Sequence, residues 1–218
     1  MNPSRRRYLM TAGAVAVGTA GLAGCLGGNG DTTGASETSH ECDIIDRDPV
    51  DELAQPAVGS ADAPVVVEVF EDFGCPGCAT FATGDLSELK SGYAGDDVRF
   101  EHYDFPIPAS DWSEAVGNAA RSIQDAHGDE AFFEFSLASY ENQSEHSWQL
   151  IGDLAEDVGA DPCDVLSDAA NEAYSAVLQA NRDEGEARDI PGTPSVFVER
   201  TLVDRTYGDV SAAIESHL

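Results

Sequence analysis

Positive charge is scarce in this chain. Eleven Lys and Arg stand against 41 acidic residues, and Lys90 is its one lysine. Nucleic-acid binding needs a basic footprint, so that class is excluded. Long apolar runs are missing too: the best stretch, Leu9 to Leu22, is Gly/Ala-rich and too short to span a bilayer as a stable helix. Cysteines number five, and Cys25, Cys42 and Cys163 stand isolated among five scattered histidines. A zinc site built from two paired ligand clusters is therefore excluded as well. Internal repeats are absent.

What is present begins with the acids. The net charge is −30, spread along the chain and not gathered in a tail. Self-repulsion on that scale strains a compact domain in dilute buffer, whereas at about 1 M salt the Debye length shrinks to about 3 Å. The pattern reads as a solvated, halophilic surface. Ser4-Arg5-Arg6-Arg7-Tyr8-Leu9-Met10 looks like a twin-arginine export signal, and Leu22-Ala23-Gly24-Cys25 resembles a lipobox. Residues 1–24 are then a signal segment, and Cys25 is the lipid-modified first residue of a protein anchored to the outer face of the cytoplasmic membrane. The plainer alternative is a secretory signal with Cys25 incidental. Loss of Arg5, Arg6 and Arg7 takes the net charge from −30 to −33.

Residues 25–60 are rich in Gly, Thr, Ser and Asp and lack sustained periodicity. They read as a flexible acidic tether spanning about 30–35 Å, with a short ordered piece around Cys42 to Leu53. Residues 61–218 read as one domain. Once Cys25 is assigned to lipid, Cys42 and Cys163 remain. Outside the cytoplasm they are candidates for a structural disulfide stapling the N-terminal arm to a helical region. Two separate thiols fit the residues equally.

The most informative stretch is Cys75-Pro76-Gly77-Cys78. It follows the apolar run Pro64 to Phe70, which reads as a buried strand, and it opens a segment of helical character. Helical spacing of three puts both sulfurs on one face within disulfide reach. A helix N-terminus favours the first cysteine as thiolate. A thiolate with a second thiol beside it is a dithiol–disulfide exchange centre. An inert structural pair is the weaker reading, since so small a loop stabilises little.

Downstream, the pattern predicts a helix from Cys75 to about Leu89 with a kink near Gly84, and a strand from Val98 to Phe105 ended by Pro106 and Pro108. Helices follow over Trp112–Ala126, Glu130–Glu141, Trp148–Val158 and, longest, Asp164 to about Glu186. After Pro191-Gly192-Thr193-Pro194 come a strand over Ser195–Arg200, a poorly marked partner over Thr201–Thr206, and an amphipathic helix over Asp209–Leu218.

Glu71-Asp72-Phe73-Gly74-Cys75-Pro76-Gly77-Cys78, Tyr103-Asp104-Phe105-Pro106 and Gly192-Thr193-Pro194, in this order of elements, resemble the thioredoxin superfamily. Over about Ala57 to Leu218 the chain is similar to its DsbA-like branch, here as a haloarchaeal-type lipoprotein. The resemblance implies an α/β thioredoxin-like fold with a helical domain inserted at about 110–188. It implies Cys75 as nucleophile, Cys78 as resolving thiol, and Thr193 with a cis Pro194 as the platform for an extended substrate. No organic cofactor or metal is called for. The implied partners are thiols and disulfides of exported proteins, a quinone-linked membrane redox partner, and the membrane through the lipid anchor. A monomer is the default.

Two positions depart from the family pattern. The buried acid that family members carry six residues before the first cysteine is Val69 here. Glu68 and Glu71 are the nearest substitutes; alternation makes Glu68 an awkward one, and the favoured reading has both as surface or strand-end acids. Strong oxidases also place a histidine after the proline, where this chain has Gly77. The oxidising direction is expected, with a disulfide reductase or isomerase, or a non-catalytic binding lipoprotein of the same fold, as alternatives.

Overall fold

The structure is a computed structural model that describes residues 40–107 and 109–218. The twin-arginine stretch, Cys25, the tether up to residue 39 and Pro108 lie outside the described residues. At the centre runs strand β2 (Val65–Glu71), whose Val-rich sequence is buried on both faces, as a central sheet strand requires. Around it stand β1 (Ala57–Val58), β3 (Val98–Asp104), β4 (Ser195–Val198) and β5 (Thr201–Val203), in the order β1-β3-β2-β4-β5. β2 and β3 are parallel; the other pairs are antiparallel. Glu199 and Arg200 both take left-handed φ, 48° and 64°, which gives the two-residue turn of the β4–β5 hairpin the twist of its strands.

One sheet face carries Val65, Val67 and Val69. It packs on α1 (Pro76–Thr83), α2 (Asp85–Tyr93) and α8 (Tyr207–Glu215) through Phe81, Leu86, Leu89, Val210 and Ile214. The break between α1 and α2 falls at Gly84, the residue where the sequence predicts a kink. Helices α3 (Ser113–His127), α4 (Asp129–Glu141), α5 (Trp148–Asp157) and α6 (Pro162–Ala170) share a core of Val116, Ile123, Phe132, Phe135, Ile151 and Leu166. That core runs without a break into Phe73, Cys75 and Cys78. The other sheet face, Phe70 with Phe105 and Phe197, is covered by α7 (Ser175–Ala187) and the Arg188 that follows it.

Two sequence expectations change. The single helix over Asp164–Glu186 is two. Glu172 takes a positive φ of 53°, Asn171 Nδ2 donates to the carbonyls of Ser167 and Ile45, and the Tyr174 amide donates to Asn118 Oδ1 at 2.7 Å. These tertiary bonds replace helical ones at residues whose propensity alone is compatible with a continuous helix.

Among the described residues, packing also extends to residues 40–56, wider than the short ordered piece expected around Cys42 to Leu53. A strap over residues 40–56 has no regular structure, yet Val50 and Leu53 pack on Ala173 and Tyr174, and the Val50 amide donates to the Ala173 carbonyl at 2.7 Å. Cys42 and Cys163 form a disulfide across 121 residues of sequence, and Arg47 reaches Asp164 on α6. A segment held by isolated side chains leaves no periodicity to read.

Candidate active site

Cys75 is the N-cap of α1, and Pro76 occupies the first helical position, where a missing N–H costs nothing. No side chain caps this helix, so the amides of its first turn stay available to the Cys75 sulfur. Cys75 is 8% exposed and Cys78 fully buried. They are the two free cysteines among the described residues.

The loop before them is tied down from both sides. Asp72 is buried; its carboxylate accepts from the amides of Gly74 at 2.8 Å and Ile107 at 3.1 Å. Its own amide lies 3.4 Å from the Cys78 sulfur. From the 3₁₀ turn at Gln143–Glu145, the Gln143 side chain donates to the carbonyls of Phe73 and Cys75 at 2.7 and 3.0 Å. The helical insertion thus fixes the carbonyls that flank the dithiol.

Across the cleft lies Thr193-Pro194, joined by a cis peptide bond. The Thr193 carbonyl is 3.5 Å from the Cys75 sulfur. Gly77 sits between the two: a Cβ there would stand 3.4 Å from Pro194 Cδ and 3.6 Å from Cys75 Sγ, which is ordinary contact. A side chain at 77 would therefore touch the Cys75 sulfur, and Gly77 leaves that contact unmade.

The two sulfurs are electrostatically opposite. Cys75 is held down at about 5, chiefly by the hydrogen bond from the Cys78 side chain. Thr193 and the amides of Cys78 and Gly77 assist, against the cost of burial. Burial pushes Cys78 far up, with the bond to Cys75 and the charge of Glu71 adding to it. At neutral pH Cys75 is then a thiolate, while Cys78 stays a thiol. Burial also raises the Asp72 carboxyl, against the bonds it accepts.

Both acids near the missing Val69 carboxyl are buried, contrary to the expectation of surface acids. Glu68, on the Phe70 face, makes a two-pronged ion pair with Arg188 at 2.8 Å and 2.8 Å. Glu71 shares the face of Val69, and its Oε2 lies 3.4 Å from His102 Nδ1. His102 Nε2 meets Asp104 Oδ1 at 3.2 Å, and Arg121 Nε donates to Asp104 Oδ2 at 2.6 Å. This buried row of alternating charge escaped sequence reasoning, in which His102 was one of five scattered histidines. The signal was there: in Val98–Asp104, Val98 and Phe100 mark the buried face, and His102 and Asp104 continue it. Burial opposes the charge on His102, but Asp104 and Glu71 outweigh it and raise its pKa. Asp104 is likewise held at about 2, burial being outweighed by Arg121 and His102. Gln143 carried no sequence signal of its own.

Against known proteins, the family model described as Thioredoxin matches residues 51–216. Disulfide bond formation protein D of Bacillus subtilis is 24% identical over 173 residues, covering 75% of this chain and 77% of that protein. The Na(+)/H(+) antiporter NhaA 1 of a Mycobacterium species is 30% identical over 153 residues. That match covers 69% of this chain but only 24% of the antiporter's length. Among solved structures, oxidised BdbD from Bacillus subtilis superposes with a TM-score of 0.69 at 22% identity, over 78% of this chain and 98% of that one. Chlamydia trachomatis DsbA gives 0.67 at 16% identity, over 79% and 96%. The fold is thus the DsbA-like one, with the helical insertion between β3 and β4.

Proposed function

The chain belongs to the thioredoxin family, and we propose that it is an extracytoplasmic thiol–disulfide oxidoreductase acting on exported proteins through Cys75 and Cys78. The observation that carries this reading is the geometry of the pair: Cys75 at the head of α1, facing the cis Thr193-Pro194 loop, backed by a fully buried Cys78. In the oxidising direction a substrate thiolate attacks the Cys75 sulfur of the Cys75–Cys78 disulfide. Cys78 leaves as thiolate and takes up a proton. A second substrate thiolate then attacks the substrate sulfur of the mixed disulfide and expels Cys75, whose low pKa makes it a good leaving group. The substrate gives up two electrons and the dithiol keeps them until a quinone-linked membrane partner removes them. The Thr193 carbonyl beside Cys75 suits main-chain pairing with an extended substrate segment.

The twin-arginine stretch and Cys25 support export by that route and a lipid anchor on the outer face of the cytoplasmic membrane, with the protein working there as a monomer. Disulfide bond formation protein D is named for the same chemistry. A reductase or isomerase is the second reading. It is favoured by Gly77, which brings no side chain to stabilise the thiolate further. Trapping the in-cell redox state separates the two: mostly oxidised means oxidase, mostly reduced means reductase or isomerase.

The test of exchange chemistry is a pair of variants. Cys78→Ser is expected to accumulate mixed disulfides with exported proteins, and Cys75→Ser to lose insulin-disulfide reduction. Undiminished insulin reduction by Cys75→Ser would refute the reading.

A further inference from the structure

Helices α2 and α4 face each other across a chamber of about 340 Å³ that the exchange steps leave unused. Ser87, Lys90 and Ser91 are three and four residues apart, so they share one face of α2. Phe133, Ser136, Leu137 and Tyr140 share a face of α4 by the same spacing. Glu71 and His102 complete the lining from the sheet. Ser136 and Tyr140 are each at least 95% buried. Their hydroxyls have no hydrogen-bond partner among the described residues.

Lys90 is the chain's one lysine, and it lines this chamber without a counter-charge. Among the described residues, every arginine that is not exposed meets a carboxylate: Arg47, Arg99, Arg121, Arg182 and Arg188. Lys90 makes no such pair; its Nζ stands 4.2 Å from the centre of the Phe133 ring. Glu71, the one carboxylate in the lining, sets its Oε2 against His102 Nδ1 at 3.4 Å. Burial takes Lys90 down to about 8, against the weaker pull of Glu71. A cation withdrawn from water is costly to leave unpaired. Here one positive charge and two buried hydroxyls converge on the same space, and all three can donate.

We propose that the chamber binds a small monovalent anion, a halide or a short carboxylate, between Lys90 Nζ, Ser136 Oγ and Tyr140 Oη. The ammonium supplies the counter-charge, and the two hydroxyls turn to donate to the ion, the stronger class of hydrogen bond. A single negative charge matches the one uncompensated cation; a second would stand against Glu71. Glu71 Oε1 is also unpartnered, but it is an acceptor and cannot touch the anion. One water, needing only about 15 Å³, fits between them and donates to both. The titratable groups facing Lys90 are Glu71 from β2, His102 from β3 and Tyr140 from α4. Anion binding here stands independently of exchange at Cys75.

Because Lys90 is the one lysine, protein labelled with ¹³C at lysine Cε gives a single side-chain signal. The test replaces sulfate by chloride, and separately by formate, at constant high ionic strength. With chloride the signal should shift to saturation. Its pH midpoint should rise by about one unit for each tenfold increase in chloride beyond half-saturation, since the ion binds only the ammonium form. Movement with chloride alone identifies a halide site; movement with formate as well identifies one open to short carboxylates. A midpoint that moves with neither overturns the proposal. In Ser136→Ala and in Tyr140→Phe, half-saturation should need about tenfold more anion, the loss of one hydrogen bond to an ion. Equal half-saturation in wild type and both variants would place the ion elsewhere and overturn the proposal too. Anomalous scattering from a bromide-soaked crystal should show the ion within hydrogen-bond reach of Lys90 Nζ; bromide at surface positions only would overturn it.

Discussion

Replacing Cys78 by Ala isolates what holds the Cys75 thiolate. The largest contribution to its low pKa of about 5 is the hydrogen bond from the Cys78 side chain. A hydrogen bond to a charged group contributes about 1.5–3 kcal/mol, and one pKa unit corresponds to about 1.36 kcal/mol. Cys75 should therefore rise by about one to two units in Cys78→Ala, to about 6–7. At pH 6 its thiolate fraction falls from about nine-tenths to between about one-tenth and one-half.

The order reverses in alkali. At pH 9 both proteins are fully ionised, and the more basic thiolate is the better nucleophile. With a slope of about 0.4–0.5 per unit, the variant should attack a small aromatic disulfide about 2.5- to 10-fold faster than wild-type Cys75. A pH series of the first-attack rate measures both ends, with thiolate ultraviolet absorbance as an independent titration. Cys78→Ser, which keeps a hydroxyl donor, should titrate between the two. A Cys78→Ala midpoint still near 5 would show that the helix amides hold the thiolate alone. A wild-type midpoint near the ordinary 8.5 would refute the reasoning altogether.

Two further predictions concern stability. Arg121 is fully buried and donates to Asp104, Gln124, Gln55, Asn181 and the Ala54 carbonyl. Arg121→Met leaves buried Asp104 with His102 as its remaining charged partner, so chemical denaturation in high salt should show a loss of about 3–5 kcal/mol; a loss under about 1 kcal/mol would mean the row is already solvated. Asp104 is held near 2, so its contribution is present above its ordinary value of about 3.9 and lost as pH falls toward 2. In the variant that acid limb should move to higher pH. Removing the strap disulfide by Cys42→Ser with Cys163→Ser opens a loop of 121 residues. The chain-entropy model gives about 4–5 kcal/mol, read as a fall in Tm of roughly 8–20 °C. The rate of first attack by Cys75 should stay within about twofold; a larger change would mean that the strap reaches the site.

The local elements and the dithiol were legible because each is written in contiguous residues. The Val-rich run, the proline at the head of α1, the glycine between α1 and α2 and the Thr193-Pro194 loop all act over a few positions, where propensity and periodicity apply. The strap was legible only as a short ordered piece and a candidate Cys42–Cys163 staple, since what it packs on lies far away in sequence. Nor was the break before α7, where Asn118 and Ile45 supply bonds from elsewhere in the chain.

The sequence by itself determined the chemistry of this protein: two sulfurs three residues apart at a helix start, in a chain whose acids exclude a nucleic-acid partner. The helix start already pointed to Cys75 as the thiolate; only the tertiary structure decided how deeply each sulfur is buried and what surrounds it. The cause is burial, which no linear pattern measures. It separates Cys75 from Cys78 and pairs Glu68 with Arg188. It also turns Glu71 toward His102, a carboxylate the sequence offered as a substitute for the acid missing at Val69 but favoured as a strand-end acid.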